Sequence, residues 1–372
     1  MDYDLVIIGA GPAGSTLAAS LPPGMKVLLA DRRSFTDPAK LYENEKCCGG
    51  MLDKRAQKAL AARGIALPGD VLVSPQVFTL RGIDLDNGGR ERYYQKQYVN
   101  IDRARFDRFL VRRALRNPSV ELAEEAHAFG FRETEEGVTL SLRTPDGTRT
   151  VSCRYLVGAD GACSWVRRKI DPSFSARSFK RYASLQEWYE TAEEPACYTA
   201  LFDRRVTDYY SWIIPENGRL IIGSALPADK SARARFERYK DELRELGFDL
   251  SKPVKRRGAV ILRPAPLGDI CPGKGHFYLC GEAAGLISPS SCEGISFALE
   301  SGRLLAESLS CGETPARYGR RLAPLKRKVF LNSLKSPVMY GPFLRGLVFR
   351  LGALSMKVDT NGANPESKSK KA

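Results

Sequence analysis

The residues that could do chemistry in this chain lie in a few short clusters of glycine, acid and cysteine. The first is Gly9-Ala10-Gly11-Pro12-Ala13-Gly14, directly after the apolar run Leu5-Val6-Ile7-Ile8. Gly9 permits a tight turn, Gly11 lets the backbone approach a pyrophosphate, and Gly14 lets the next helix pack on the strand. Pro12 and Ala13 open that helix, whose unpaired N–H groups and partial positive charge favour phosphate. Asp31 closes a second apolar run, Val27-Leu28-Leu29-Ala30, at the distance where a carboxylate accepts from a ribose hydroxyl, with Arg32 beside it. Framed by two strands and with the acid in place, the pattern predicts a bound dinucleotide.

The second cluster is Lys46-Cys47-Cys48-Gly49-Gly50. Two readings stand: an ordinary loop with inert thiols, or glycines that admit a planar ligand and leave a thiol beside it. The third, Gly158-Ala159-Asp160-Gly161, is a strand–glycine–acid–glycine turn without GxGxxG, so it is not a second nucleotide fold. The fourth runs from Gly281-Glu282-Ala283-Ala284-Gly285 through Ser290-Ser291-Cys292-Glu293-Gly294-Ile295 into a helix, a place for sugar hydroxyls and phosphate. His127 and His276 are isolated and read as structural, and no metal-ligand spacing occurs.

Holding these clusters together needs a parallel sheet, and the continuous apolar strands supply one. Asp53 and Asp102 read as caps of helices, the second carrying Phe106, Leu110 and Val111 at helical spacing. Gln76–Leu80 and Arg92–Tyr94 form a hairpin through Asn87-Gly88, and further strands fall at 119–122, 137–143 and 149–156. From 176 to 264 the strands are short and aromatic (182–190, 197–203, 208–214 and 219–225), interrupted by a helix from Asp229 to Leu246. That pattern predicts an antiparallel sheet. Its aromatic stretch, Tyr209-Tyr210-Ser211-Trp212-Ile213-Ile214-Pro215, is either sheet packing or the wall of an apolar pocket around Tyr210 and Trp212.

A length of 372 residues, 43% hydrophobic and 27% charged, describes a globular chain able to bury a full core. No apolar run is long enough to cross a bilayer, and acids flank the first strand, so it is no signal peptide. Nine cysteines without a framework spacing point to a reduced, cytoplasmic setting. The net charge of +15 comes with no aromatic-studded basic groove, so it reads as a solvated surface rather than a nucleic-acid site, with a cofactor's phosphates or an anionic membrane surface as the alternatives. Residues 325–354 mix cations with apolar side chains, as core packing or an interfacial contact would.

The glycine turn with Asp31, the Asp160-Gly161 turn and the Gly281–Ile295 segment together resemble the FAD-binding signatures of hydroxylase-like flavoproteins. Arg103, Phe106 and Asp107 match that group's R-x-x-F-D segment, whose arginine approaches the cofactor. The resemblance implies FAD, with Asp160 and Gly161 supporting its pocket and Glu282 at the ribityl–pyrophosphate region, where the group usually carries aspartate. Within the group the chain is most similar to the geranylgeranyl reductase family and its CbrA-type bacterial branch. The carrying stretches are Lys46–Leu52, Tyr210–Pro215 and Gly281–Ile295, and in that family the cysteine matching Cys48 lies near the flavin ring. The implied fold is α/β: a Rossmann-type FAD-binding domain (1–175 and 265–310), an antiparallel-sheet substrate domain (176–264), C-terminal helices (311–355) and a disordered basic tail (356–372). The strands near 76–101 fall within the first range, with the substrate sheet as their alternative place.

By this resemblance the chain is an FAD-dependent oxidoreductase that reduces carbon–carbon double bonds of a prenyl or other apolar substrate. With no second Rossmann turn, its electron donor is NAD(P)H bound transiently, or another protein. Two alternatives remain. Tyr210–Pro215 also resembles the W-x-W-x-I-P stretch of flavin halogenases, with Tyr210 in place of the first tryptophan and no lysine assigned. A flavin redox sensor switching through Cys47 and Cys48 is the non-enzymatic one.

Overall fold

The computed structural model describes residues 1–175, 179–193, 195–265, 270–352 and 354–356, so the tail expected over 356–372 lies outside the described residues apart from Met356. A first sheet is ordered Gly273–Lys274, Phe277–Leu279, Gly147–Gly158, Tyr3–Ile8, Val27–Ala30, Val120–Ala123. Four of its pairings are parallel, and Val27–Ala30 is buried along its whole length, which is why these strands read as unbroken apolar runs. Both glycine turns leave the same edge: Ile8 pairs with Gly158, and Leu279 with Gly158 on the other side. Gly9, at φ +104°, has Ala159 O only 2.5 Å from where its Cβ would be, so the two turns touch.

The helix Pro12–Ser20 lies on this sheet and against the long helix Ile295–Ser310. Close approach depends on missing side chains. A Cβ on Gly14 would stand 1.9 Å from Gly9 O, and one on Gly302 would stand 2.5 Å from Ala13 O.

The second sheet is ordered Pro253–Pro264, Phe179–Glu190, Arg219–Pro227, Ser211–Pro215, Tyr198–Phe202, Val77–Asp84, Arg90–Asn100, Met51–Leu52. It is antiparallel except where Tyr198–Phe202 runs parallel to Val77–Asp84, so the hairpin strands at 76–101 are hydrogen-bonded into this sheet. Besides the two-residue strands Met51–Leu52 and Gly273–Lys274, two longer strands carry no sequence signal. Pro253–Pro264 is an edge strand that turns Lys255 and Arg257 partly outward, and His127–Glu133 is largely exposed, so neither shows apolar alternation. The helix Ala232–Glu245 covers one face through Phe236, Tyr239 and Leu243.

Helices Ser336–Tyr340 and Pro342–Leu351 close over the other end of this sheet. Phe349 packs on Ala200 and Phe202. Arg345, 4% exposed, reaches Asp84 at 3.0 Å and Asp86 at 2.5 Å, while Asn87 Nδ2 donates to Pro342 O at 2.9 Å.

Candidate active site

Between the two sheets runs a continuous cavity of about 1420 Å³. Its walls include Gly9, Gly11, Pro12, Ala13, Asp31, Arg32, Cys48, Gly49, Arg103, Asp160, Gly161, Glu282, Gly294 and Ile295, together with Tyr210 and Trp212. Gly14, Gly50 and Gly281 stand behind the wall. Gly50 (φ +67°) brings its backbone against Ile101 O, and Gly281 (φ +60°) would carry a Cβ 2.9 Å from that of Ala13.

At the nucleotide end, Gly11 faces space with nothing within 4 Å of a Cβ position, at the start of the Pro12 helix. Asp31 is held from several sides. Ala10 N donates to Oδ2 at 2.8 Å, and Arg33 donates through its backbone N to Oδ1 at 2.9 Å, through Nε to Oδ1 at 3.1 Å and through Nη2 to Oδ2 at 3.1 Å. Burial alone would raise the Asp31 pKa, but the Arg33 charge and these bonds outweigh it and hold the group below its ordinary value. A ribose hydroxyl at this carboxylate therefore shares it with Arg33. The same guanidinium donates through Nη1 to Asp107 at 2.8 Å, and Asp107 also accepts from Arg103 Nε at 2.9 Å. Arg33 stands one residue from the predicted Arg32 and was missed because only the tertiary contact with Asp107 distinguishes the two. Arg32 itself is exposed at the cavity wall. His127 also lines the cavity, on an exposed strand.

Asp160 accepts from Trp165 N at 2.7 Å and Val166 N at 3.3 Å through Oδ2, while its buried Oδ1 has no partner. Burial raises its pKa. Glu282 spends Oε1 on Leu262 N at 3.1 Å and turns Oε2 to Lys46 Nζ at 3.8 Å. That ammonium also stands 3.8 Å from a Cβ position on Gly161. An open glycine at a helix start and a carboxylate closing the second strand, both on the cavity wall, fit a bound dinucleotide.

The Cys47–Gly50 segment joins the two ends. Gly49 passes so close to Ile214 that a Cβ would stand 2.5 Å from its Cδ1, and Gln186 Nε2 donates to Cys48 O at 3.3 Å. The two thiols differ. Cys47 is buried against Ser184, and burial pushes it up to about 12, so it stays a thiol. Cys48 is half-buried on the cavity wall, which Arg103 also lines. Cys48→Ser is therefore expected to shift the visible spectrum or the turnover of the flavin-loaded protein without releasing flavin, and Cys47→Ser to change neither. Identical spectra and rates for Cys48→Ser and the parent would return the pair to an ordinary loop.

At the aromatic end a clamp holds the loop before the long helix. Pro289 O accepts from Tyr209 OH at 2.9 Å, Arg263 Nε at 3.1 Å and Ser336 Oγ at 3.3 Å. Tyr210 OH donates to Ser291 O at 2.9 Å and Tyr340 OH to Ser290 O at 2.6 Å. Arg263 lies 4.4 Å from the Tyr209 ring centre and 4.9 Å from that of Tyr340. Clamped this way, the loop keeps Cys292 at φ +52°, a strained conformation for a side-chain-bearing residue. Arg263 has no sequence signal, being one arginine among many on an edge strand.

Glu293 lies on the cavity wall at the head of the long helix, accepting from Ser296 N at 2.6 Å and Ser296 Oγ at 2.7 Å. Burial first, and the Asp53 charge second, push it from 4.5 up to about 7, against the pull of Ser296 and Arg55. The folded protein then keeps a proton that the unfolded chain releases, so this group's stabilisation is complete below 4.5 and is lost as pH rises towards 7. Glu216, raised to about 7 chiefly by burial, acts with the same sign. The informative quantity is thus the difference between the parent and Glu293→Gln in denaturation curves across this range. The parent should lose stability relative to the variant as pH rises, and parallel curves would show that Glu293 is ionised throughout.

Residues 2–195 match the model of the FAD binding domain family. Protein CbrA of Escherichia coli O9:H4 (strain HS) is 35% identical over 352 residues, 94% of this chain and 93% of that protein. Two solved structures share the fold at 18% identity. A geranylgeranyl bacteriochlorophyll reductase-like protein from Thermoplasma acidophilum has a TM-score of 0.76 and covers 96% of this chain and 92% of its own. A flavin-dependent brominase has a TM-score of 0.70 and covers 94% of each chain. The glycine turn, the facing acid turn and these matches converge: the chain belongs to the FAD binding domain family, alongside the CbrA proteins, and is an FAD-dependent oxidoreductase.

Proposed function

We propose that this oxidoreductase saturates a carbon–carbon double bond in a prenyl or similarly long apolar substrate. The observation that supports this best is the aromatic end of the cavity. Tyr210, Trp212, Tyr198, Phe202 and Phe349 present ring surface there, and the hydroxyls of Tyr210 and Tyr340 are spent on backbone carbonyls. A phenolic substrate buried on such a wall would need a polar partner for its hydroxyl, whereas a hydrocarbon needs none. Bound FAD supplies hydride transfer in its reduced form.

The chain's own residues supply placement. On this reading residues 1–175 with 265–310 carry the cofactor, and the aromatic sheet carries the substrate. Gly9, Gly11, Pro12, Ala13 and Gly14 form the pyrophosphate turn, and Asp31 with Arg32 takes the ribose end. Arg103, Asp160, Gly161, Glu282, Gly294 and Ile295 enclose the middle of the cofactor with Gly281 packed behind them, and Cys48-Gly49 borders its ring with Gly50 behind. The electron donor is transient NAD(P)H or a redox protein.

The test supplies chemically reduced protein with prenyl lipids of several chain lengths, without oxygen, and looks by mass spectrometry for a gain of two hydrogens. If none gains hydrogen while an aromatic compound gains oxygen or halide once air is admitted, the reading is wrong. That second reading, a monooxygenase or halogenase, draws on the fold shared with the brominase and on Lys46, a lysine in the cavity. Lys46 pairs with Glu282 on the nucleotide side, which argues against that lysine in a halogenase role.

A further inference from the structure

The mouth of the aromatic end is built from unusual surface. Among the residues that line the cavity, Leu354 is 96% exposed and Val338 42%, and exposed Lys335 and Lys96 sit on the same rim. Around them the C-terminal helices turn large apolar side chains to solvent: Phe343 at 83%, Leu351 at 72% and Leu334 at 57%, with Leu331, Leu344 and Leu347 also exposed. Isolated exposed leucines are common, but a run of them on consecutive helices marks a surface that something covers.

Charge indicates what covers it. From Thr314 to Met356 the sequence contains nine lysines and arginines and no aspartate or glutamate. Of these cations, Arg345 is spent on Asp84 and Asp86, while Arg327, Lys335 and Arg350 are exposed. No described helix is long and apolar enough to cross a membrane. A short helical face with protruding Phe and Leu, flanked by cations and lacking acids, has the chemistry of an element lying in the headgroup region of an anionic bilayer.

We propose that helices Ser336–Tyr340 and Pro342–Leu351 dock this protein on an anionic lipid surface, with the mouth of the cavity facing the bilayer. One face of the pair enters the lipid through Phe343, Leu347 and Leu351, while Tyr340, Val348 and Phe349 of the same helices line the cavity. An apolar substrate then passes from bilayer to aromatic wall without crossing water. The proposal deepens the prenyl reading, since it rests on an apolar substrate, but docking itself is measured without turnover.

The experiment is co-sedimentation of the full-length, FAD-loaded protein with phosphatidylcholine vesicles, with and without phosphatidylglycerol, at low and high salt. Binding to the phosphatidylglycerol vesicles that weakens with salt is expected. A Phe343→Ser/Leu347→Ser/Leu351→Ser variant should keep its flavin absorbance and lose about tenfold or more in vesicle affinity. Parent protein that stays in the supernatant with both vesicles overturns the proposal. So does a parent that elutes as a dimer in gel filtration while the triple variant elutes as a monomer, because a second copy then covers the face. Hydrogenation of a detergent-dispersed prenyl lipid is the separate readout. Docking without hydrogenation sinks the substrate reading alone, and hydrogenation without docking sinks this inference alone.

Discussion

Gly11→Val is expected to yield a folded protein that retains no FAD. Gly11 precedes the helix at φ −73°, which any residue adopts, and a Cβ there meets nothing within 4 Å. The fold therefore has no objection to a side chain. The cofactor does, because that open space borders the cavity where the helix start presents its N–H groups. Gly14→Ala is the contrasting change. Its Cβ would stand 1.9 Å from Gly9 O, a backbone atom that cannot swing aside, so it should cost about 3 kcal/mol of stability. Flavin absorbance after gel filtration, set beside denaturation curves, separates the two. A Gly11→Val protein that stays fully yellow would show that the turn is structural only.

Arg345→Met should be the most damaging single change away from the cofactor. It leaves Asp84, 0% exposed, and Asp86, 6% exposed, without their shared cation. Removing one partner of a buried ion pair costs about 3–5 kcal/mol, because the remaining charge is stranded. The loss should be local as well as global, since Arg345 and the Asn87–Pro342 contact fasten the last helix to the sheet that it roofs. Chemical denaturation should show the drop, and limited trypsin digestion should cut first after exposed Arg350 in the loosened last helix. Adding Asp84→Asn and Asp86→Asn should recover part of it, since all three charges are then gone. If Arg345→Met unfolds at the parent's denaturant concentration, the contact is solvated and holds nothing.

The nucleotide half was legible because its chemistry is local. A GxGxxG turn between two buried strands states its own geometry: Gly9 needs φ +104° and Gly14 needs contact with Gly9, requirements met within six residues of chain. The helix at Arg103–Ala114 was readable from its Asp102 cap and apolar spacing. The two longer missed strands, His127–Glu133 and Pro253–Pro264, were not readable, because exposed and edge strands lack the alternation that burial imposes.

What only the tertiary structure decided is which charges and rings meet. Arg33, not exposed Arg32, bridges Asp31 to Asp107 across 74 residues of sequence separation. Arg263 finds Pro289 and three tyrosines, and Arg345 finds Asp84 across 261 residues. Long side chains on unremarkable elements carry no local signature, so their partners exist only once sheets, loops and helices are packed. The sequence by itself determined the FAD turn and the class of fold, because backbone sterics and strand burial act between near neighbours. The roof of the cavity and the clamp on its loop were settled by packing alone, because their energies come from contacts between distant segments.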